Sequence, residues 1–284
     1  MAKIYVPHAA DDPLMMSFVI VTKTGKIIAV DGGFRGGDGS SRDYLYNFLC
    51  KNCDFEAQKF TVDTWFFTHA HSDHTYAFVN MVKLHSNVKV NRIVCDMIDE
   101  DYILQMPEYE HVYVQSLKVF NSASESFNVE TPQVGDKYEI DGLTFEILKT
   151  FRTPDTTKKY NNINDTSMVF RMSGAGKTVL FLGDLNVTGG KELVGMYSDE
   201  LKSDGVQMAH HGQSGVNRDC YNKINPKLCL WPSPKWVWNN DPGTLKIDEV
   251  RGWMDDLGVT KHYVMWCGWL DGNTNNYISF PGDF

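Results

Sequence analysis

The chain has 284 residues, enough for one large domain or two modest ones and for a sizeable core. Hydrophobic residues make up 42% and charged residues 22%, which excludes a mainly disordered, collagen-like or coiled-coil protein. With 36 acidic against 27 basic side chains the formal charge is −9, a poor match to polyanions such as nucleic acid or an anionic membrane surface.

No run reaches the ~18 apolar residues of a membrane-spanning helix. Residues 1–13 lack the basic start, apolar run and small-residue cleavage site of a secretory leader. Six cysteines in a chain this long read as reduced thiols in the cytoplasm. Cys50-x-x-Cys53 has no second pair with which to hold zinc. Residues 17–21 and 26–30 are β-rich and flank Thr24-Gly25, which predicts a hairpin. The second strand ends in Asp31-Gly32-Gly33. A glycine-rich stretch, 35–41, precedes a predicted helix over 42–51 with Tyr44, Leu45, Phe48 and Leu49 on one face. Gly36-Gly37-Asp38-Gly39 lacks the Lys-Ser/Thr ending of a phosphate-cradling loop and reads as a turn. The apolar strand 62–68 runs into His69. A helix is predicted over 75–84, a strand over 88–95 and an acidic helix over 96–110. Segments 112–120 and 135–150 are strand-rich. Strands 168–172 and 179–182 form a hairpin about Ser173-Gly174-Ala175-Gly176. A helix over 190–201 and short strands over 206–209, 228–231 and 262–266 follow, with a helix over 247–257 between the last two. Hairpins and strand–helix units in both halves predict an α/β architecture of two mixed sheets with helices outside. The chain reads as one domain over 1–284, its aromatic-rich part (about 220–284) completing the second half.

Five of the nine histidines fall in two short clusters. The first, Thr68-His69-Ala70-His71-Ser72-Asp73-His74, follows an apolar strand directly. In an extended segment, His69 and His71 point the same way. Asp73 and His74 follow in the turn leading to a helix and offer a neighbouring set of ligands. Imidazoles with a carboxylate suit Zn²⁺, Fe or Mn. One metal takes few protein ligands, so four from one heptapeptide and more elsewhere point to two divalent ions. Asp184, behind Gly183 at the end of an apolar strand, is placed to bridge them. In His210-His211-Gly212 adjacent side chains diverge, so one binds metal while the other orients it or meets substrate.

In order and spacing across 17–215, Asp31-Gly32-Gly33, His69-x-His71-x-Asp73-His74, Gly183-Asp184 and His211-Gly212 resemble the metallo-β-lactamase superfamily. The resemblance implies an αββα four-layer sandwich with a dinuclear site at one edge of two mixed sheets. It implies His69 and His71 at the first metal, Asp73, His74 and His211 at the second, and Asp184 between them. Many members carry a third histidine before the bridging Asp. Here the interval holds only His85 and His111, neither in that context. Instead, Asn164-Asp165-Thr166-Ser167-Met168-Val169 is similar to a stretch of the nuclease-like domain of bacterial DNA-uptake channel proteins and its stand-alone relatives, which also carry His-His-Gly. Asp165, or Asn164, is therefore expected as an oxygen ligand in place of the histidine; Zn is the expected metal, with Mn or Fe, which such a ligand favours, as the alternatives. After His74 the chain has Thr75-Tyr76 where many relatives have glycines.

The expected chemistry is hydrolysis by water activated between two cations, with Asp73 also taking its proton and Asp184 completing the catalytic pair. A phosphoester or phosphodiester of a small molecule fits the acidic charge better than long DNA. The alternatives are acyl hydrolysis of a lactone, thioester or β-lactam, and a non-catalytic binder on the same fold. Six of the seven tryptophans fall in the last part of the chain, and 231–238 reads as a loop interrupted by prolines. Its tryptophans fill core, or form a lid or quaternary-ammonium cage; on the latter reading Trp236, Trp238 and His210 contact substrate. His262 reads as a strand histidine and His8 as surface.

Overall fold

The computed structural model describes residues 1–8, 16–34, 43–152 and 159–284, so the glycine-rich stretch 35–41 and the expected helix start at residue 42 lie outside the described residues. In the N-terminal half the strands are β1 (Ala2–Tyr5), β2 (Phe18–Val21), β3 (Ile27–Val30), β4 (Thr61–Val62), β5 (Thr64–Phe67), β6 (Lys89–Val90), β7 (Ile93–Cys95) and β8 (Val129–Glu130). The helices between them are α1 (Tyr44–Asn52), α2 (Ser72–Leu84), α3 (Glu100–Leu104) and α4 (Val114–Ser124). The second half has β9 (Lys137–Ile140), β10 (Leu143–Lys149), β11 (Val169–Gly174), β12 (Lys177–Phe181), β13 (Gly205–Gln207), β14 (Leu228–Trp231), β15 (Lys261–Val264), β16 (Gly268–Trp269) and β17 (Ile278–Phe280). Its helices are α5 (Val187–Tyr197), α6 (Arg218–Ile224), α7 (Lys235–Trp238) and α8 (Ile247–Asp256).

Both sheets are mixed. The first has the order β17-β1-β2-β3-β5-β7-β8, antiparallel as far as β3 and parallel beyond it. The second has the order β16-β15-β14-β13-β12-β11-β10-β9, with β12 to β15 parallel. β4 and β6 form a separate small ladder. Strands buried on both faces are apolar at every position rather than alternating. Thr64–Phe67 and Leu228–Trp231 are of this kind, buried throughout. Phe66 points between the sheets, 5.0 Å in ring centroid from both Phe145 and Phe170, and Phe18 meets Phe181 at 5.4 Å. Its neighbours Trp65 and Phe67 point outward, onto Phe78 of α2. Phe67 also meets Phe120 of α4. On the far side Leu193, Ile224, Val250 and Met254 of α5, α6 and α8 cover Val206 and Cys229. The layers therefore run helix, sheet, sheet, helix: the αββα sandwich.

Three expectations are corrected. Segment 112–120 is helical, not strand-rich: its β-branched valines mimic a strand, but Leu117, Phe120 and Ala123 recur every third residue and are the apolar positions buried in α4, beside Ser116 and Ser124. The acidic helix over 96–110 is two pieces, α3 and a 3₁₀ turn over Glu108–Tyr113, because Pro107 forces an extended residue between them. Segment 231–238 is not all loop, since α7 starts directly after Pro234. No described helix is long and apolar enough to cross a membrane, and all six cysteines are free thiols.

Candidate metal centre

The ends of β5, β12 and β13 meet at one edge of the sandwich, and the segments leaving them carry the histidines and carboxylates. β5 ends at Phe67; His69 and His71 follow, two residues apart, and His71 caps α2 with extended backbone (φ −66°, ψ 150°). Asp73 and His74 therefore occupy the first turn of α2, which begins three residues earlier than the periodicity predicts. After β12, Gly183 (φ 56°) turns the chain against Thr68 and Ser167, where a Cβ would meet Thr68 at 2.9 Å. Only glycine fits that approach, and it delivers Asp184. After β13, His210 and His211 both sit in the left-handed region (φ 49° and 56°). Two consecutive non-glycine residues there are strained, and the surrounding structure must impose the conformation. It turns His211 inward.

Two donor sets result. Asp73, His74, Asp184 and His211 bring donor atoms within 4.8 Å of one another, as do His69, His71 and Asp184, so Asp184 is common to both. His211 Nε2 lies 3.0 Å from Asp73 Oδ2 and 3.5 Å from Asp184 Oδ2. His74 Nε2 lies 3.2 Å from Asp184 Oδ2. Nε2 of His69, His71 and His74 and Oδ1 of Asp184 are buried without a hydrogen-bond partner. Buried polar atoms are normally paired. Four of them aimed into one place fit a pair of cations and fit nothing else on hand.

The other ring nitrogens are fixed from outside. Asp31 Oδ2 accepts the Nδ1–H of His74 at 2.9 Å, and the same carboxylate takes the Thr68 N–H (2.7 Å) and hydroxyl (2.8 Å). His211 Nδ1–H donates to the Pro232 carbonyl at 3.0 Å. These bonds hold the tautomers that present Nε2 lone pairs inward. His69 Nδ1 lies 3.1 Å from the Thr68 hydroxyl and 3.3 Å from that of Ser167, which also accepts the Asp184 N–H at 3.1 Å. The charges are strongly coupled. Burial pushes Asp184 and Asp73 up, but the surrounding histidines prevail, holding Asp184 well below its usual range and Asp73 at about 2. Burial lowers His74, but Asp184, Asp31 and Asp73 outweigh it and raise it well above its ordinary value. Burial and the neighbouring histidines hold His69 well below its own.

The remaining expected residues are placed as follows. Asp165 belongs to neither set; its Oδ1 accepts the N–H of Gly189 in α5 at 2.9 Å. Asn164 is the one at the site. Its Oδ1 is buried and unpartnered, and its Nδ2 lies 3.4 Å from His210 Nε2. His210 stands at the margin, 3.9 Å from Asp184 Oδ2, with Nδ1 on the Ser214 hydroxyl at 2.7 Å. Trp236 and Trp238 pack on the apolar cluster around Trp231 instead, with the Trp231 and Trp238 rings 5.3 Å apart and Arg251 over Trp238. His85 pairs with Asp43 and His262 accepts the indole N–H of Trp231, both away from the centre. Sequence reasoning assigned no role to Asp31, Thr68 or Ser167. Asp31-Gly32-Gly33 at a strand end was the one visible signal, and Gly32 is required there because a Cβ would lie 2.6 Å from that of Phe78.

No family model matches the chain. It is 28% identical over 171 residues to ComE operon protein 3 of Bacillus subtilis, covering 60% of this chain and 20% of that protein. It is 30% identical over 95 residues to competence protein ComA of Neisseria gonorrhoeae, covering 33% of this chain and 13% of that one. The chain thus spans at most a fifth of the length of these relatives. Among solved structures, the metallo-β-lactamase fold protein YhfI of Bacillus subtilis superposes with a TM-score of 0.50 at 12% identity, over 90% of this chain and 93% of its own. The αββα layers, the donors gathered at one sheet edge and these similarities make the chain a metallo-β-lactamase-fold protein related in sequence to competence proteins.

Proposed function

We propose that the chain is a metal-dependent hydrolase acting on a phosphoester of a small molecule, with Zn²⁺, Mn²⁺ or Fe bound at the two donor sets. The observation that carries this is the pair of converging sets sharing Asp184, whose inward atoms lack protein partners. When bound, two divalent ions supply Lewis acidity and a nucleophilic water at neutral pH. The protein's own groups do the rest. His69 and His71 would hold one ion and His74, His211 and Asp73 the other, with Asp184 common to both sets. Asp73, with 13% side-chain exposure against 2% for Asp184, is the more exposed carboxylate of the two and would take up the proton of the attacking water. His210 and Asn164 border the opening. Beside them a groove of about 570 Å³, lined in part by Asp165, Asn186, Ser214 and Asn217, receives the rest of the substrate. The net charge of −9 favours a small substrate over a polynucleotide. The short coverage of the competence proteins means that their roles as whole proteins are not carried over. Free thiols fit a cytoplasmic setting.

Elemental analysis of protein purified without chelators, with hydrolysis of bis-p-nitrophenyl phosphate after Mn²⁺ or Zn²⁺ loading, tests the reading. We expect about two ions per chain and a loss of turnover of at least ~10³-fold in Asp184→Ala, since a bridging ligand serves both ions. Two ions with turnover of thioesters or lactones but not phosphoesters would establish acyl hydrolysis instead. A folded protein that takes up no metal would leave a binding protein on the same fold.

A further inference from the structure

Lys149, at the end of β10, is the one lysine or arginine among the buried described residues, and it is 0% exposed. The register of β10 on β11 shifts between Ile147 and Lys149, an irregularity of the kind that re-aims a side chain. Its Nζ donates to the main-chain carbonyl of Asp165 at 2.9 Å and lies 5.1 Å from the ring centre of Tyr160. The Tyr160 hydroxyl donates in turn to Oε2 of Glu192 in α5 at 2.7 Å. Taking an ammonium group out of water is costly, and well-packed apolar residues often fill such places at no loss of stability. What the ammonium adds is direction: a charge-assisted bond holds one carbonyl in one place.

The residues on either side of that carbonyl reach the centre. Asn164 Nδ2 lies 3.4 Å from His210 Nε2. Ser167 Oγ lies 3.3 Å from His69 Nδ1 and accepts the N–H of Asp184 at 3.1 Å. The Met168 N–H donates to the carbonyl of Thr68, the residue before His69, at 2.9 Å. One short segment thus touches both donor sets, at His69 and at the shared Asp184. We infer that Lys149 is a positioning residue of the metal centre: by anchoring the Asp165 carbonyl it sets where Ser167 holds His69 and Asp184. The inference rests on the metal-centre reading above.

The test measures Zn²⁺ affinity by competition with a chromophoric chelator, and urea unfolding of the metal-free forms, for wild type, Lys149→Met, Ser167→Ala and the double variant. Lys149→Met is expected to bind Zn²⁺ at least ~tenfold more weakly, as loss of a support behind the ligands does. Because both residues act through one segment, the second substitution should cost less than about threefold in affinity once the first is present. Lost core packing alone moves the urea midpoint and leaves no such coupling. Tyr197→Phe removes a neighbouring bond, from the Tyr197 hydroxyl to the Leu148 carbonyl at 2.8 Å, and should lower the urea midpoint with Zn²⁺ affinity unchanged. Lys149→Gln keeps a donor on a shorter side chain and gives the same readout, smaller in size, if the methionine variant does not fold. Wild-type affinity in the Lys149 variants, effects that multiply in full in the double variant, or an equal loss of affinity in Tyr197→Phe overturns the inference and leaves the metal centre standing. A wild-type protein that binds no Zn²⁺, Mn²⁺ or Fe²⁺ overturns the metal-centre reading, and the role of Lys149 with it.

Discussion

At the scale of single residues, the site is built as much by groups that never face substrate as by the donors. Asp31 sets the ring of His74 and is itself set by Thr68. Asp31→Asn keeps the shape and removes the charge, so metal affinity should fall about 10- to 100-fold in equilibrium dialysis, with the fold intact by circular dichroism. His74 gives a second expectation. Its folded pKa is raised by Asp184, Asp31 and Asp73 against the effect of burial, so without metal it is protonated at neutral pH. That charge stabilises the metal-free protein below the unfolded pKa of ~6.5 and is lost as pH rises through the folded value. A cation must displace the proton. Titrations in buffers of different ionisation enthalpy should therefore show proton release, and affinity should rise with pH. Equal heats in all buffers would refute this.

At the scale of elements, bonds between segments set which of two neighbouring residues lies at the donor sets. Asp165 is held by the Gly189 N–H near the start of α5, and that leaves Asn164 at the centre. Asp165→Ala leaves a buried N–H unpaired and should cost about 1–3 kcal/mol in denaturant unfolding, with metal stoichiometry unchanged. Loss of metal with unchanged stability would restore Asp165 as a ligand. The same contrast explains what was legible in the sequence. His69, His71, Asp73 and His74 share one heptapeptide whose backbone nearly dictates their convergence, so spacing alone exposes them. The hairpins, the outer helices and the apolar strands are likewise local patterns. Choosing between Asn164 and Asp165 depends on a bond to Gly189, in another segment of the chain. Valines at 112, 114 and 119 carried a strand signal that packing of Phe120 on the sheet and of Leu117 with Ile98 and Ile103 overrode.

At the scale of the whole molecule, the two sheets act as a rigid clamp that brings like charges together. Asp31, Asp73, Asp184 and Glu110 are all drawn to one sheet edge, and bound cations offset that concentration of carboxylate. Stripping metal with a chelator should lower the melting temperature by roughly 5–10 °C at free metal near 100 Kd, from about 2.7 kcal/mol of linkage. No change would show that the histidine charges suffice. The pairing of β1 with β17 has a further consequence for synthesis. The donors are complete once residue 211 has emerged, yet Trp269, Ile278 and Phe280 belong to the core between the sheets, and β17 pairs with β1. A ribosome-bound chain therefore carries every ligand before it has the walls that aim them. The geometry of the centre is therefore fixed only after β17 has been made and has closed onto β1.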